Sequence, residues 1–136
     1  MGISKLTALI VEDSPVTREF LTYLLEEEAG FQVVGAAKNG KEGVDLAERL
    51  KPDIVLMDVH MPELNGLEAT KAIMTRTPTR IVMVSASLDP QDVALSFQAL
   101  NAGALALVEK PKGPNDPNYE VTVRELVMTL RLMSEV

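Results

Sequence analysis

Short apolar runs alternate along this chain with longer stretches whose apolar residues recur at helical spacing. The runs fall at residues 6–11, 31–37, 53–57, 80–84 and 105–108. Four of them are nearly continuous in Val, Ile, Leu, Met and Ala, the pattern of parallel strands covered on both faces. Helix start signals lie between them. Ser14-Pro15, Asp89-Pro90 and Asp116-Pro117 each set a capping side chain before a proline at the first helical position. Residues 40–50 and 65–76 read as two more helices. Phe20, Leu21, Leu24 and Leu25 form one apolar stripe, and Val93, Phe97 and Leu100 a second. Val123, Leu126, Val127, Leu130 and Met133 form a third. The stripes are the expected inner faces of their helices.

Five strands alternating with five helices predict an α/β fold of three layers, a doubly wound parallel sheet between helices. Right-handed crossovers leave two common open arrangements, Rossmann-like and flavodoxin-like. Five strands favour the second, with order 2-1-3-4-5. At 136 residues the chain has the size of one domain, enough to hide roughly two-thirds of its unfolded surface.

Ligands of open α/β sheets bind beyond the carboxyl ends of the strands, where the strand order reverses. Glu12 and Asp13 follow the first strand and Asp58 ends the third. Ser85 follows the fourth and Lys110-Pro111 the fifth. The second strand is followed only by Lys38-Asn39-Gly40, which reads as a turn, and in this order it lies at the sheet edge. The four strands with chemically capable ends are then mutual neighbours. Three converging carboxylates repel one another unless protonated or neutralised by a cation. Mg²⁺ prefers such oxygen ligands and keeps open positions for a phosphate oxygen. An aspartate can attack phosphorus to form an acyl phosphate, with Lys110 as a point charge and Ser85 as a hydroxyl donor. Each piece alone is commonplace; the information lies in their joint occurrence.

At these positions the sequence resembles the receiver domain of two-component response regulators, over essentially all of residues 1–136. The likeness is carried by Leu9-Ile-Val-Glu-Asp13, Asp53-Ile-Val-Leu-Met-Asp58, Met61-Pro-Glu-Leu-Asn-Gly66, Val84-Ser-Ala86 and Glu109-Lys-Pro111. It implies the flavodoxin-like strand order and a histidine kinase partner that donates a phosphoryl group to Asp58. It also implies Mg²⁺ held by Asp13, Asp58 and the backbone carbonyl of His60, with Glu12 acting through a metal-bound water. Ser85 and Lys110 would contact the phosphoryl group, the Lys110–Pro111 bond would be cis, and the output face would be built from the fourth helix, fifth strand and fifth helix. Gly66-Leu-Glu-Ala-Thr70, Pro78-Thr-Arg-Ile-Val-Met-Val-Ser85 and the long connection after Lys110 resemble, more narrowly, the receiver half of chemotaxis protein-glutamate methylesterases. Those enzymes carry a catalytic domain after a linker. The expectation is an excised regulatory half, or a stand-alone regulator of similar sequence, with no room for a hydrolase after Val136 and no enzyme activity beyond assisting its own phosphoryl transfer.

Two positions depart from the family pattern. Leu107 stands where receivers commonly carry a Tyr or Phe that swings inward on activation. His60, the chain's one histidine, either brings its ring to the site or leaves it on the rim in water. Phe97, Leu100 and Met133 are either core residues or a remnant of a domain interface.

Composition narrows the alternatives. A net charge of −7 opposes adhesion to nucleic acid or to an anionic membrane. Glu12 and Asp13 interrupt the first apolar stretch too early for a signal peptide or a membrane span. The absence of cysteine excludes thiolate chemistry and suits the reducing cytoplasm. Two other functions use the same acids: a Mg²⁺-dependent phosphatase with an aspartyl nucleophile, and a metal-binding module that is never phosphorylated. The phosphatases place a second aspartate two residues past the nucleophile, where this chain has His60.

Overall fold

A computed structural model describes residues 5–86, 88 and 93–136. Five strands, β1 (Thr7–Val11), β2 (Gln32–Ala37), β3 (Ile54–Asp58), β4 (Arg80–Ser85) and β5 (Ala106–Glu109), pair in parallel in the order β2-β1-β3-β4-β5. The helices are α1 (Pro15–Tyr23), α2 (Gly40–Leu50), α3 (Gly66–Arg76), α4 (Val93–Ala102) and α5 (Tyr119–Met133). No helix among the described residues is long and apolar enough to cross a membrane.

Strand side chains alternate between faces, so each central strand feeds two cores. Leu9, Val11, Val55, Met57, Ile81 and Met83 pack with residues of α2, α3 and α4 on one side. Ala8, Ile10, Ile54, Leu56, Val82 and Val84 pack with α1 and α5 on the other. This two-sided burial explains why the strands read as continuous apolar runs.

Short polar side chains start three of the helices. Ser14, Asn39 and Asn65 accept from the backbone N–H groups of Thr17, Glu42 and Glu68, and Glu68 completes a reciprocal capping box. Helix α1 runs on into one π-helical turn, Leu24–Glu28. The carbonyls at its end accept from Arg131 of α5, Nε to Ala29 at 3.3 Å and a terminal nitrogen to Glu28 at 3.1 Å.

Three expectations change. Asp116-Pro117 does not open α5; the chain first makes two hydrogen-bonded turns, Asp116 N–H to Gly113 O and Tyr119 N–H to Asp116 O, and the helix begins at Tyr119. Every peptide bond among the described residues is trans, Lys110–Pro111 included. The trans form is the favoured one for an X–Pro bond, by about 0.5–1 kcal/mol. The stripe Val93, Phe97 and Leu100 is exposed rather than internal, while Met133 packs half-buried against the second core. Helix α4 is apolar on nearly every side, and its small face, Ala99 and Ala102, takes the buried position because it allows close approach. The Asp89-Pro90 start signal lies outside the described residues.

Candidate functional site

Strand register assembles the site. Val11 pairs with Met57, which puts Glu12 level with Asp58; Asp58 pairs with Val84, so Ser85 stands one step beyond it. Ser85 pairs in turn with Glu109, and Lys110 follows. Each site residue therefore occupies the end of its strand or the next position, in the spatial row Glu12, Asp58, Ser85, Lys110. Main-chain bonds fasten the row: Glu12 N–H to Ala37 O at 3.0 Å, Val59 N–H to Val84 O at 3.0 Å, and Lys110 N–H to Ser85 O at 2.8 Å.

Glu12, Asp58 and Ser85 are buried, at 1%, 4% and 3% exposure, whereas Asp13 is exposed at the mouth. Carboxylate oxygens of Glu12, Asp13 and Asp58 lie within 4.8 Å of one another. An oxygen-only donor set of this charge suits a hard divalent cation, and an exposed third acid leaves one side open. The Lys110 ammonium sits between the two buried acids, 2.7 Å from Glu12 Oε1 and 3.4 Å from Asp58 Oδ1. Ser14 N–H donates to the other Glu12 oxygen at 3.0 Å.

Burial is the main influence on both acids and raises their pKa values above the ordinary carboxylate range. For Asp58 the Lys110 charge opposes that rise, the Asp13 charge adds to it, and the His60 backbone N–H favours the ionised form. For Glu12 the hydrogen bonds from Lys110 and Ser14 oppose it. Burial also pulls Lys110 down, but its hydrogen bond to Glu12 and the charges of Asp58 and Glu12 outweigh that, and its pKa is raised. The pocket is thus strained in charge: two buried anions share one ammonium.

His60 is exposed, and its backbone N–H donates to Asp58. Leu107 is half-buried against the first core. Arg18 carries no motif signal, yet one of its guanidinium nitrogens donates to the main-chain carbonyls of Glu12 and Asp13, at 2.9 and 3.3 Å.

Gly66 sits where α3 meets the end of β3. A Cβ there would collide with the carbonyl oxygen of Asp58 and lie 2.9 Å from the Val59 Cα. Since backbone cannot swing aside as a side chain can, Gly66→Ala is expected to cost about 1–3 kcal/mol, read from the urea midpoint. A midpoint equal to wild type would show that the β3–α3 junction yields freely.

The response regulator receiver domain family matches residues 8–118. A protein-glutamate methylesterase/protein-glutamine glutaminase of Nitrosospira multiformis is 47% identical over 131 residues, covering 96% of this chain and 37% of that protein. A second such protein, from Methanospirillum hungatei, is 48% identical over 128 residues, covering 94% and 37%. The chain therefore spans little more than a third of the curated relatives it matches. The crystal structure of the response regulator domain of Thermotoga maritima CheB superposes with a TM-score of 0.86 at 37% identity, covering 98% of both chains. The strand order, the acid-and-lysine row and these matches agree: the chain belongs to the response regulator receiver domain family.

Proposed function

We propose that Asp58 is a phosphoacceptor and that the chain is the receiver domain of a chemotaxis-type methylesterase, switched by a histidine kinase in the cytoplasm. The observation that carries this reading is the placement of Asp58 at the centre of the row, with Lys110 3.4 Å away and Glu12 and Asp13 beside it. Two of the acids, Asp13 and Asp58, with the His60 carbonyl, would hold Mg²⁺, and Glu12 would act through a bound water. When bound, the metal neutralises charge and orients phosphate oxygens.

An Asp58 carboxylate oxygen attacks phosphorus in line as the P–N bond of the donor phosphohistidine breaks, its electron pair leaving on the imidazole. The product is an acyl phosphate. Lys110, held nearby by Glu12, follows the negative charge onto the phosphoryl oxygens, and the Ser85 hydroxyl donates to one of them. Those contacts bias a two-state module through β4 and α4.

The output face fits the same reading. Val93, Phe97 and Leu100 are exposed on α4, and Val121, Met128 and Leu132 are exposed at helical spacing on α5. The two helices contact β5, an edge strand of the sheet. Apolar surface of that extent suits docking on the catalytic domain that the longer relatives' names imply.

Acetyl phosphate with Mg²⁺ tests the chemistry. The expected result is a mass gain of one phosphoryl group on the wild type, with release of acetate, and none on Asp58→Asn. Turnover of a generic phosphate ester would favour the phosphatase instead. No gain from any small-molecule donor would favour a metal-binding module.

A further inference from the structure

The three acids are held in different ways. Glu12 accepts from Lys110 and from Ser14 N–H, and Asp58 faces Lys110 and the His60 N–H. Asp13 is exposed, and among the described residues its carboxylate has no hydrogen-bond partner. The main chain that carries it therefore sets where its Cβ stands, and with it the positions the carboxylate can reach. Two peptide planes flank the Asp13 Cα. The carbonyl of Glu12 belongs to one and the carbonyl of Asp13 to the other, and a single Arg18 nitrogen donates to both. The second plane is also held at its other end, where Ser14 N–H donates to Glu12. Each peptide unit is rigid, so fixing both planes fixes the Cα between them and the line of its Cα–Cβ bond. Arg18 is itself half-buried on α1 and anchored by its own N–H to Ser14 O at 2.8 Å.

We propose that Arg18 is a positioning residue of the metal site, aiming the Asp13 carboxylate by clamping the two carbonyls on either side of it. The inference rests on the reading of Asp13 as a Mg²⁺ ligand. Outer partners that orient metal ligands are typically worth a factor of 10–100 in metal affinity. The sign of the effect separates orientation from charge. Removing a cation beside an acidic site would, by Coulomb attraction alone, tighten binding of Mg²⁺. Loss of aim would weaken it.

The experiment is calorimetric titration of Mg²⁺ into wild type, Arg18→Met, Arg18→Lys and Arg131→Met, at fixed ionic strength and with folding checked by urea denaturation. Arg131→Met is the control, since it removes an arginine that bonds two main-chain carbonyls far from the acids. The expected result is about 10–100-fold weaker binding for Arg18→Met, partial recovery for Arg18→Lys, and no change for Arg131→Met. Binding by Arg18→Met as tight as wild type, or tighter, would overturn the proposal, as would equal weakening in Arg131→Met. A wild type that binds no Mg²⁺ would remove the metal reading and Arg18's role together. Normal Mg²⁺ binding with no phosphoryl uptake on Asp58 would remove only the phosphoacceptor reading.

Discussion

Lys110→Met is expected to lose roughly 3–5 kcal/mol of stability at neutral pH, the scale for stripping one partner from a buried ion pair. The lysine side chain is 14% exposed and its Glu12 partner 2%, so solvent offers little replacement for the lost charge. Glu12 and Asp58 would then face each other with no cation between them. Both already have folded-state pKa values raised above their unfolded ones, chiefly by burial. A raised acid destabilises the fold above its folded pKa, and that penalty is relieved as pH falls toward the unfolded value. Without Lys110 the two pKa values rise further, and the variant should regain stability on acidification more steeply than wild type. Adding Asp58→Asn to Lys110→Met removes the repulsion at its source and should recover part of the loss at pH 7. Urea melts of the four proteins of this cycle give the coupling directly. A single variant within about 0.5 kcal/mol of wild type at pH 7 would mean that the two carboxylates are solvated well enough to need no counter-charge.

Mg²⁺ at a hundredfold excess over its dissociation constant should stabilise the folded chain by about 2.7 kcal/mol, a rise in melting temperature on the order of 10 °C for this length. The gain should fade with acid. Ligands must be deprotonated to bind, and the raised pKa values of Asp58 and Glu12 open the competition with protons at a higher pH than ordinary carboxylates would. The shift should therefore be full at pH 8, shrink as pH falls through the interval between the raised folded values and the ordinary carboxylate range, and be gone below it. Chelation at pH 8 should reverse it. A melting temperature indifferent to Mg²⁺ at pH 8 would count against the acid cluster as a metal site.

The sheet was legible because burial on both faces leaves an unmistakable apolar signature. Its order came from the family resemblance, and of the two common open orders the flavodoxin-like one makes the four chemically capable strand ends neighbours. The helix faces were less legible. For α5, the expected stripe does face the core, with Leu126 and Leu130 buried and Val123, Val127 and Met133 partly so. For α4, the largest side chains were the natural choice for the core, yet alanines face inward and Phe97 faces water at 64% exposure. Packing against a crowded sheet edge selects for closeness there, and periodicity alone does not report it. The site shows the same division. Residue types and strand ends located Glu12, Asp13, Asp58, Ser85 and Lys110, but the division of labour did not follow from them. That Lys110 leans on Glu12 more closely than on Asp58, and that Arg18 grips the loop from α1, are facts of distance between segments far apart in sequence or on different elements.

The staple from Arg131 to the end of the π-helical turn has a mechanical consequence. It ties the far end of α5 to the layer's other helix, and Leu126 and Leu130 bury fully beneath it. Helix α4 is held chiefly by Ala99, Ala102 and the partly buried Leu95, and so gives up far less apolar contact when it shifts. Of the two walls around β5, one is bolted to the frame and the other hangs on small hinges. A push that begins at Ser85 will move the door, not the post.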